Sequence, residues 1–218
     1  MDDTLLLVIA GFCMGFFGSV PPTGPVALMV ITRAFKKKTK YAFAAGVGGA
    51  LAEMIYAGLA VTGVGILIQE VQLAETLIRA LSTLVLLAVG LYFFLSPIHE
   101  SDILEEGEQE VQGLTGAMGH LGKAFSIAIF NPTLILNWTV AVAFFFTLFN
   151  VQSDLLGRML FTGFVAVGMI CWTAVEVWLL DKFQERYSVR LLARIQRAVS
   201  VVVIAAALYL GYETIAGL

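Results

Sequence analysis

Two short stretches interrupt otherwise apolar sequence, Pro21-Pro22-Thr23-Gly24-Pro25 and Phe130-Asn131-Pro132-Thr133. Proline lacks a backbone N–H and clashes with the preceding helical turn, so each stretch leaves peptide groups without helical partners. In hydrocarbon such groups are expensive, and they survive only inside protein or against a watery cavity. A helix that restarts after Gly24 or Pro132 presents free N–H groups with partial positive charge, which suits a carboxylate or similar anion. Pro25 then occupies an early helical position, where its missing N–H costs nothing. Pro22, Thr23, Gly24, Pro25, Asn131, Pro132 and Thr133 are therefore candidate substrate-binding residues. Asn137, about one turn further on, joins them as a hydrogen-bonding group. The plainer alternative at each stretch is a proline kink, which membrane helices tolerate.

Two acids also lie within apolar runs. Glu53, in GGALAEMIYAG, falls near the middle of its run. There an acid costs about 2.5–3.5 kcal/mol on insertion scales, so it should face an interior cavity. It is a candidate proton carrier, a contact for a substrate ammonium, or a structural hydrogen-bond acceptor. Glu176, in WTAVEVWLLDK, lies about one turn from the end of its run, where it either joins the site or snorkels to the interface.

The elements that must position these groups are long apolar helices. Of the 218 residues, 59% are hydrophobic and 13% charged, with a mean hydropathy of +0.90. A soluble domain carries about a quarter charged residues, so most of this chain does not face water. Spanning helices of roughly 20 apolar residues are expected at 4–33, 41–68, 73–96, 122–149, 155–180 and 196–216. The fold class expected is an all-α integral membrane protein of six transmembrane helices, with the first and fourth broken by proline. The first run lacks a basic start and begins with Asp2 and Asp3, so it reads as a retained helix and not a cleaved signal peptide.

Lysine and arginine set the orientation. Arg33, Lys36, Lys37, Lys38 and Lys40 lie between spans one and two, and Lys182, Arg186, Arg190, Arg194 and Arg197 between spans five and six. Basic loops stay cytoplasmic, which leaves both termini extracytoplasmic. The connection 97–121, with Glu100, Asp102, Glu105, Glu106, Glu108 and Glu110, reads as an acidic cytoplasmic linker between two halves, 1–96 and 122–218. Three spans per half make any repeat an inverted one, and each half opens with a broken span followed by a span holding an acid. Thr23 and Asn131 each lie about nine residues from the cytoplasmic end of their spans, roughly 13 Å deep at 1.5 Å per residue. Transporters of inverted repeats bind substrate at the midplane between such broken helices.

Other signals are quieter. Cys13 and Cys171 lie in apolar runs with no redox or zinc spacing, and His99 and His120 border the linker as solvated side chains. No nucleotide-binding loop occurs, so ATP-driven pumping is disfavoured. No cofactor, metal or nucleic-acid motif is present. Gly46, Gly48, Gly49, Ala50 and the Gly11/Gly15 pair suit close helix packing. Trp138, Trp172 and Trp178 are too scattered to define a cage.

PPTGPVALMVITRAF, the basic turn after it, and AAGVGGALAEMIYAGLAVTGVG resemble the opening of the LysE-type translocators, bacterial exporters of amino acids. FNPTLILNW at 130–138 resembles that family's second motif. The resemblance implies a six-helix inner-membrane exporter driven by the proton gradient, with an amino acid, protons and the lipid bilayer as partners and a homo-oligomer left open. By position, Gly24 and Pro25 fill the first motif and Asn131 and Pro132 the second. Glu53 stands where the family commonly has Asp, Thr133 where it often has Lys, and the turn 33–40 lacks the family's usual glycine. The change at Thr133 leaves the choice of amino acid open. A metal-cation exporter of the wider superfamily is the alternative, and it would need several carboxylates, thiols or histidines to converge. A membrane assembly or electron-carrier protein is a third.

Overall fold

The computed structural model describes residues 3–21, 24–70, 74–95, 116–149, 154–183 and 189–216. These residues form helices and their short turns. In chain order the helices are α1 (Asp3–Gly18), α2 (Gly24–Phe35), α3 (Thr39–Glu70), α4 (Ala74–Leu95), α5 (Gly116–Ile129), α6 (Pro132–Phe149), α7 (Leu155–Lys182) and α8 (Val189–Ala216). The two proline stretches separate α1 from α2 and α5 from α6, so both expected breaks are present. Helix α5 begins at Gly116, before the expected start at 122, and α8 begins at Val189, before 196. Most of the acidic linker lies outside the described residues, as do Pro22 and Thr23.

Helix α7 and the Thr39–Gly63 stretch of α3 are each long and apolar enough to cross a membrane. The pair α5 and α6, bent by 71° at its break, makes a third if taken as one broken span, while α1 and α2 are shorter apolar helices. The outer surface carries large apolar side chains that a soluble protein would bury. Leu84, Met159, Val202 and Tyr212 are each more than 60% exposed, which fits a surface solvated by lipid tails.

The interior combines large apolar side chains such as Leu7, Met29, Ile31 and Phe161 with many small ones. Ala42, Ala45, Ala50, Ala52, Ala57 and Ala207 are fully buried. Lipid tails are as apolar as a leucine side chain, so membrane helices gain by close packing and not by escaping water. The main seams follow from this. Helix α1 lies along α7, α5 along α3, α3 against α7, and α4 against α8. A Cβ on Gly11 or Gly15 of α1 would strike the carbonyls of Phe161 or Val165 on α7, and one on Gly168 of α7 would strike that of Phe12. On the second seam, a Cβ on Gly48 would strike the carbonyl of Leu121.

Exchanging α1 with α5, α3 with α7 and α4 with α8 maps each of these seams onto another or onto itself. Gly48 against Leu121 then corresponds to Gly168 against Phe12. The half-helices after the breaks depart from the pattern, with α2 packed chiefly on α3 while α6 packs on both α3 and α4.

The basic turn after α2 closes without glycine. Lys38 N–H donates to Arg33 O at 2.9 Å and Lys37 N–H to Ala34 O at 3.0 Å, the paired bonds of a Schellman cap. Lys37 takes the left-handed position at φ 58°, which costs about 1–2 kcal/mol for a residue with a Cβ. Its ammonium pairs with the Asp181 carboxylate at 3.2 Å and donates to the Asp181 carbonyl. That contact puts the α2–α3 turn and the end of α7 at the same end of the bundle. The start of α5 joins them, because the His120 ring stacks on Tyr41 at 4.8 Å. Contrary to the solvated reading from sequence, His120 is 1% exposed and its Nδ1 bonds the Gly116 carbonyl at 2.8 Å. The stacking surface on α3 is what sequence position could not reveal. Lys182 stands over the Trp178 ring at 4.9 Å, an aromatic-basic pair of the kind that sits at a membrane interface.

The α1–α7 seam yields a direct check. Gly15→Leu is expected to lower the stability of the detergent-solubilised protein by about 1–3 kcal/mol or more, through overpacking against backbone. Gly119→Ala, where a Cβ meets open space, should leave it unchanged or slightly raised. Thermal unfolding followed by circular dichroism measures both.

Candidate functional site

The local sequence of α3 builds one wall of a cavity. Gly46, Gly49, Ala50 and Glu53 recur at the i, i+3, i+4, i+7 spacing that lines one helix face, and all four line a cavity of about 600 Å³. The three small residues leave the space, and Glu53 projects into it. Helix α7 supplies the facing wall with Met169, Trp172, Thr173 and Glu176. The α3–α7 contact stays close beside it, where a Cβ on Gly46 would strike the Thr173 side chain. The volume lies within the range of about 300–1,000 Å³ usual for small-molecule sites.

Both breaks open onto the same space. From the first come Ser19 and Pro21, at the end of α1, and Val26 and Ala27 in the first turn of α2. From the second come Leu134 and Asn137, at the start of α6. Ser19 Oγ donates to the Gly15 carbonyl at 2.7 Å, which covers one carbonyl left free where α1 stops. At the second break, Asn131 N–H donates to Ala128 O at 3.0 Å and Leu134 N–H to Asn131 O at 3.2 Å. The break is thus partly satisfied by its own turn, as a chain interruption within a membrane must be.

Of the residues expected from sequence, Glu53, Asn137 and Glu176 line the cavity. Glu176, left open between site and interface, lies with Glu53 in the same space. Gly24, Pro25 and Asn131 are not among the residues that line it. Gly24 takes φ +84° with nothing near the place of a Cβ. That left-handed turn into α2 is one that glycine adopts freely. Pro22 and Thr23 fall outside the described residues, and so do the side chains of Pro132 and Thr133, whose backbone opens α6.

The electrostatics of the cavity are one-sided. Glu53 and Glu176 are acidic, and no Lys, Arg or His appears among the described residues that line it. The Trp138 indole N–H donates to Glu53 Oε2 at 3.0 Å. The Trp172 N–H is buried with no hydrogen-bond partner, and its ring edge packs on Phe16 at 5.4 Å between centroids. A buried donor left unpaired costs about 1–3 kcal/mol. The arrangement offers two carboxylates, the Asn137 amide, the first turn of α2 and apolar walls at Met14, Phe17 and Val30.

Sequence reasoning passed over both tryptophans as too scattered. One signal was available: Trp172 and Glu176 are four apart on α7, which puts them on the same face. None was available for Trp138, which meets Glu53 from 85 residues away.

No curated protein and no solved structure shows a significant match to the chain. The family model of the LysE type translocator matches residues 16–214, a stretch that contains both breaks, both acids and every wall of the cavity except Cys13 and Met14. With that match across nearly the whole chain, this multi-pass membrane protein belongs to the LysE type translocator family.

Proposed function

We propose that the protein exports an amino acid or close derivative across the bacterial inner membrane, by proton antiport with alternating access. The observation that carries this reading is the meeting of both helix breaks with Glu53 and Glu176 at one cavity. An amino acid is a carboxylate and an ammonium a few ångströms apart. Its ammonium suits the acids on α3 and α7, and its carboxylate suits the free N–H groups at the start of α2. A carboxylate that holds either a proton or the solute's ammonium, but not both, couples the two fluxes in opposite directions. Glu53 and Glu176 are the groups placed for that exchange.

Six spans in two inverted halves are part of the same reading. The seam exchange of α1, α3 and α4 with α5, α7 and α8 supports it, and so does the common end of the bundle shared by Lys37, Asp181 and His120. In this topology that end is cytoplasmic and both termini are extracytoplasmic. Halves of that kind rock about a site at their interface, which is where the cavity lies. The metal-exporter alternative is less well supported. Among the described residues no three of His, Cys, Asp and Glu form a group, and Cys13 is the one thiol or imidazole among the described residues that line the cavity with the two acids.

The test of the whole reading is flux in proteoliposomes, with amino acids against divalent cations, each with and without a pH gradient. Amino acid flux that follows the gradient is the expected result, and cation flux alone would reject the reading. Amides of the transported amino acids, which lack the anion, should be poor substrates.

Glu53→Gln is expected to lower gradient-driven flux by about tenfold or more, as loss of a charged contact worth about 1.5–3 kcal/mol implies, while the protein still inserts. Glu176→Gln should impair flux as well, because it faces the same cavity. Unchanged pH dependence in both variants would make the acids structural.

Topology is checked by labelling in a background without Cys13 and Cys171. Asp3→Cys and Glu106→Cys should react with an impermeant thiol reagent from opposite faces of the membrane.

A further inference from the structure

Trp138 stands where the second break, the packed core and Glu53 come together. It lies in the second turn of α6, just past the 71° bend. Its ring is 8% exposed and packs in the core cluster that contains Val142, Phe146 and Phe161. The ring is therefore held, and only the indole edge reaches the cavity. That edge donates to Glu53 Oε2 at 3.0 Å, and so joins α6 to α3 across the site.

Indole N–H is a donor only, with no lone pair to accept a proton from a carboxylic acid. Its bond to Glu53 is charge-assisted when the acid is ionised and roughly half as strong when it is protonated. The bond thus weakens as Glu53 loads a proton. The weakened tie is one of several that join the second break to α3: the Trp138 ring packs in the cluster with Ala57 and Val61, and the Tyr56 hydroxyl donates to the Ile129 carbonyl at 2.5 Å. It is the one that answers to the charge of Glu53, next to a bend that has lost helical continuity. The other titratable groups facing this space are Glu176 on α7 and Cys13 on α1. Among the described residues, helices α2 and α8 contribute Val26, Ala27, Val30 and Val203 there, none of which titrates.

We infer that Trp138 is a positioning residue that reads the charge of Glu53 and transmits it to the broken helix α6, holding the start of α6 against α3 until Glu53 is protonated. This rests on the reading of Glu53 as a proton carrier. It adds the element that moves in response. A tie that answers to the charge of Glu53 links proton loading to the position of α6.

Two measurements on the full chain test this. In the first, indole-¹⁵N-labelled protein in nanodiscs is followed by NMR across pH, with each signal assigned by its Trp→Phe variant. The Trp138 signal should move as Glu53 titrates, remain still in Glu53→Gln, and still move in Glu176→Gln. A Trp138 signal that ignores pH, or titrates equally in Glu53→Gln, overturns the inference without requiring any variant of Trp138 itself to transport. In the second, Trp138→Phe keeps the ring and removes the donor. It should displace the pH midpoint of gradient-driven flux by about one unit, the equivalent of a hydrogen bond to a charged group. Loss of flux at every pH with an unmoved midpoint would mark Trp138 as structural only, and would also overturn the inference. If Glu53→Gln abolishes coupled flux while Trp138 fails both measurements, the transport reading stands and this one falls. If Glu53→Gln leaves coupling intact, both fall.

Discussion

A peptide group stripped of its hydrogen bond cannot rest against lipid, and the arrangement of this protein follows from that constraint. The chain breaks two of its helices, at 21–25 and at 130–133, and so creates the groups a hydrocarbon environment excludes. Each break must then be enclosed by other helices. Helices α3 and α7 supply the enclosure, and the space that remains between them and the breaks is the cavity. The same unpaired groups that make the breaks costly make them useful, since N–H groups without a helical acceptor are free to meet a solute.

Enclosure at this distance depends on side chains that are absent. Gly11 and Gly15 let α1 touch α7, Gly48 lets α5 touch α3, and Gly46 lets α7 approach α3. Backbone meets backbone along the α1–α7 and α3–α5 seams, and the face of α3 with Gly46, Gly49 and Ala50 borders the cavity. Close packing and the cavity are therefore two results of one pattern of small residues. Glycine is not needed everywhere a family pattern would place it. The turn after α2 adopts the left-handed cap with Lys37, whose side chain gains the Asp181 carboxylate in a contact that spans the bundle end.

Within the cavity, the charge pattern and the helix breaks divide the labour. Acids stand on the continuous helices α3 and α7, while the donors come from broken or aromatic elements: the start of α2, the Trp172 indole and the Trp138 indole.

The sequence by itself determined what depends on local chemistry. Proline fixes where helices must stop whatever surrounds them, lysine and arginine gather at 33–40 and 182–197, and the Gly46, Gly49, Ala50, Glu53 spacing marks one face of one helix. The family too was legible, because its two motifs are local. What only the tertiary structure decided are the meetings across long separations. Glu176 lies in the cavity and His120 lies buried on Tyr41 because of how α7 and α5 are rotated about their axes. That rotation follows from small residues along the seams, Gly168 on α7 among them; the spacing puts Glu176 on one face with Trp172 but does not say what that face meets. The bond from Trp138 to Glu53 was hidden for the same reason: hydrogen bonds between helices depend on the register of two packed surfaces, and a single chain pattern encodes only one surface at a time.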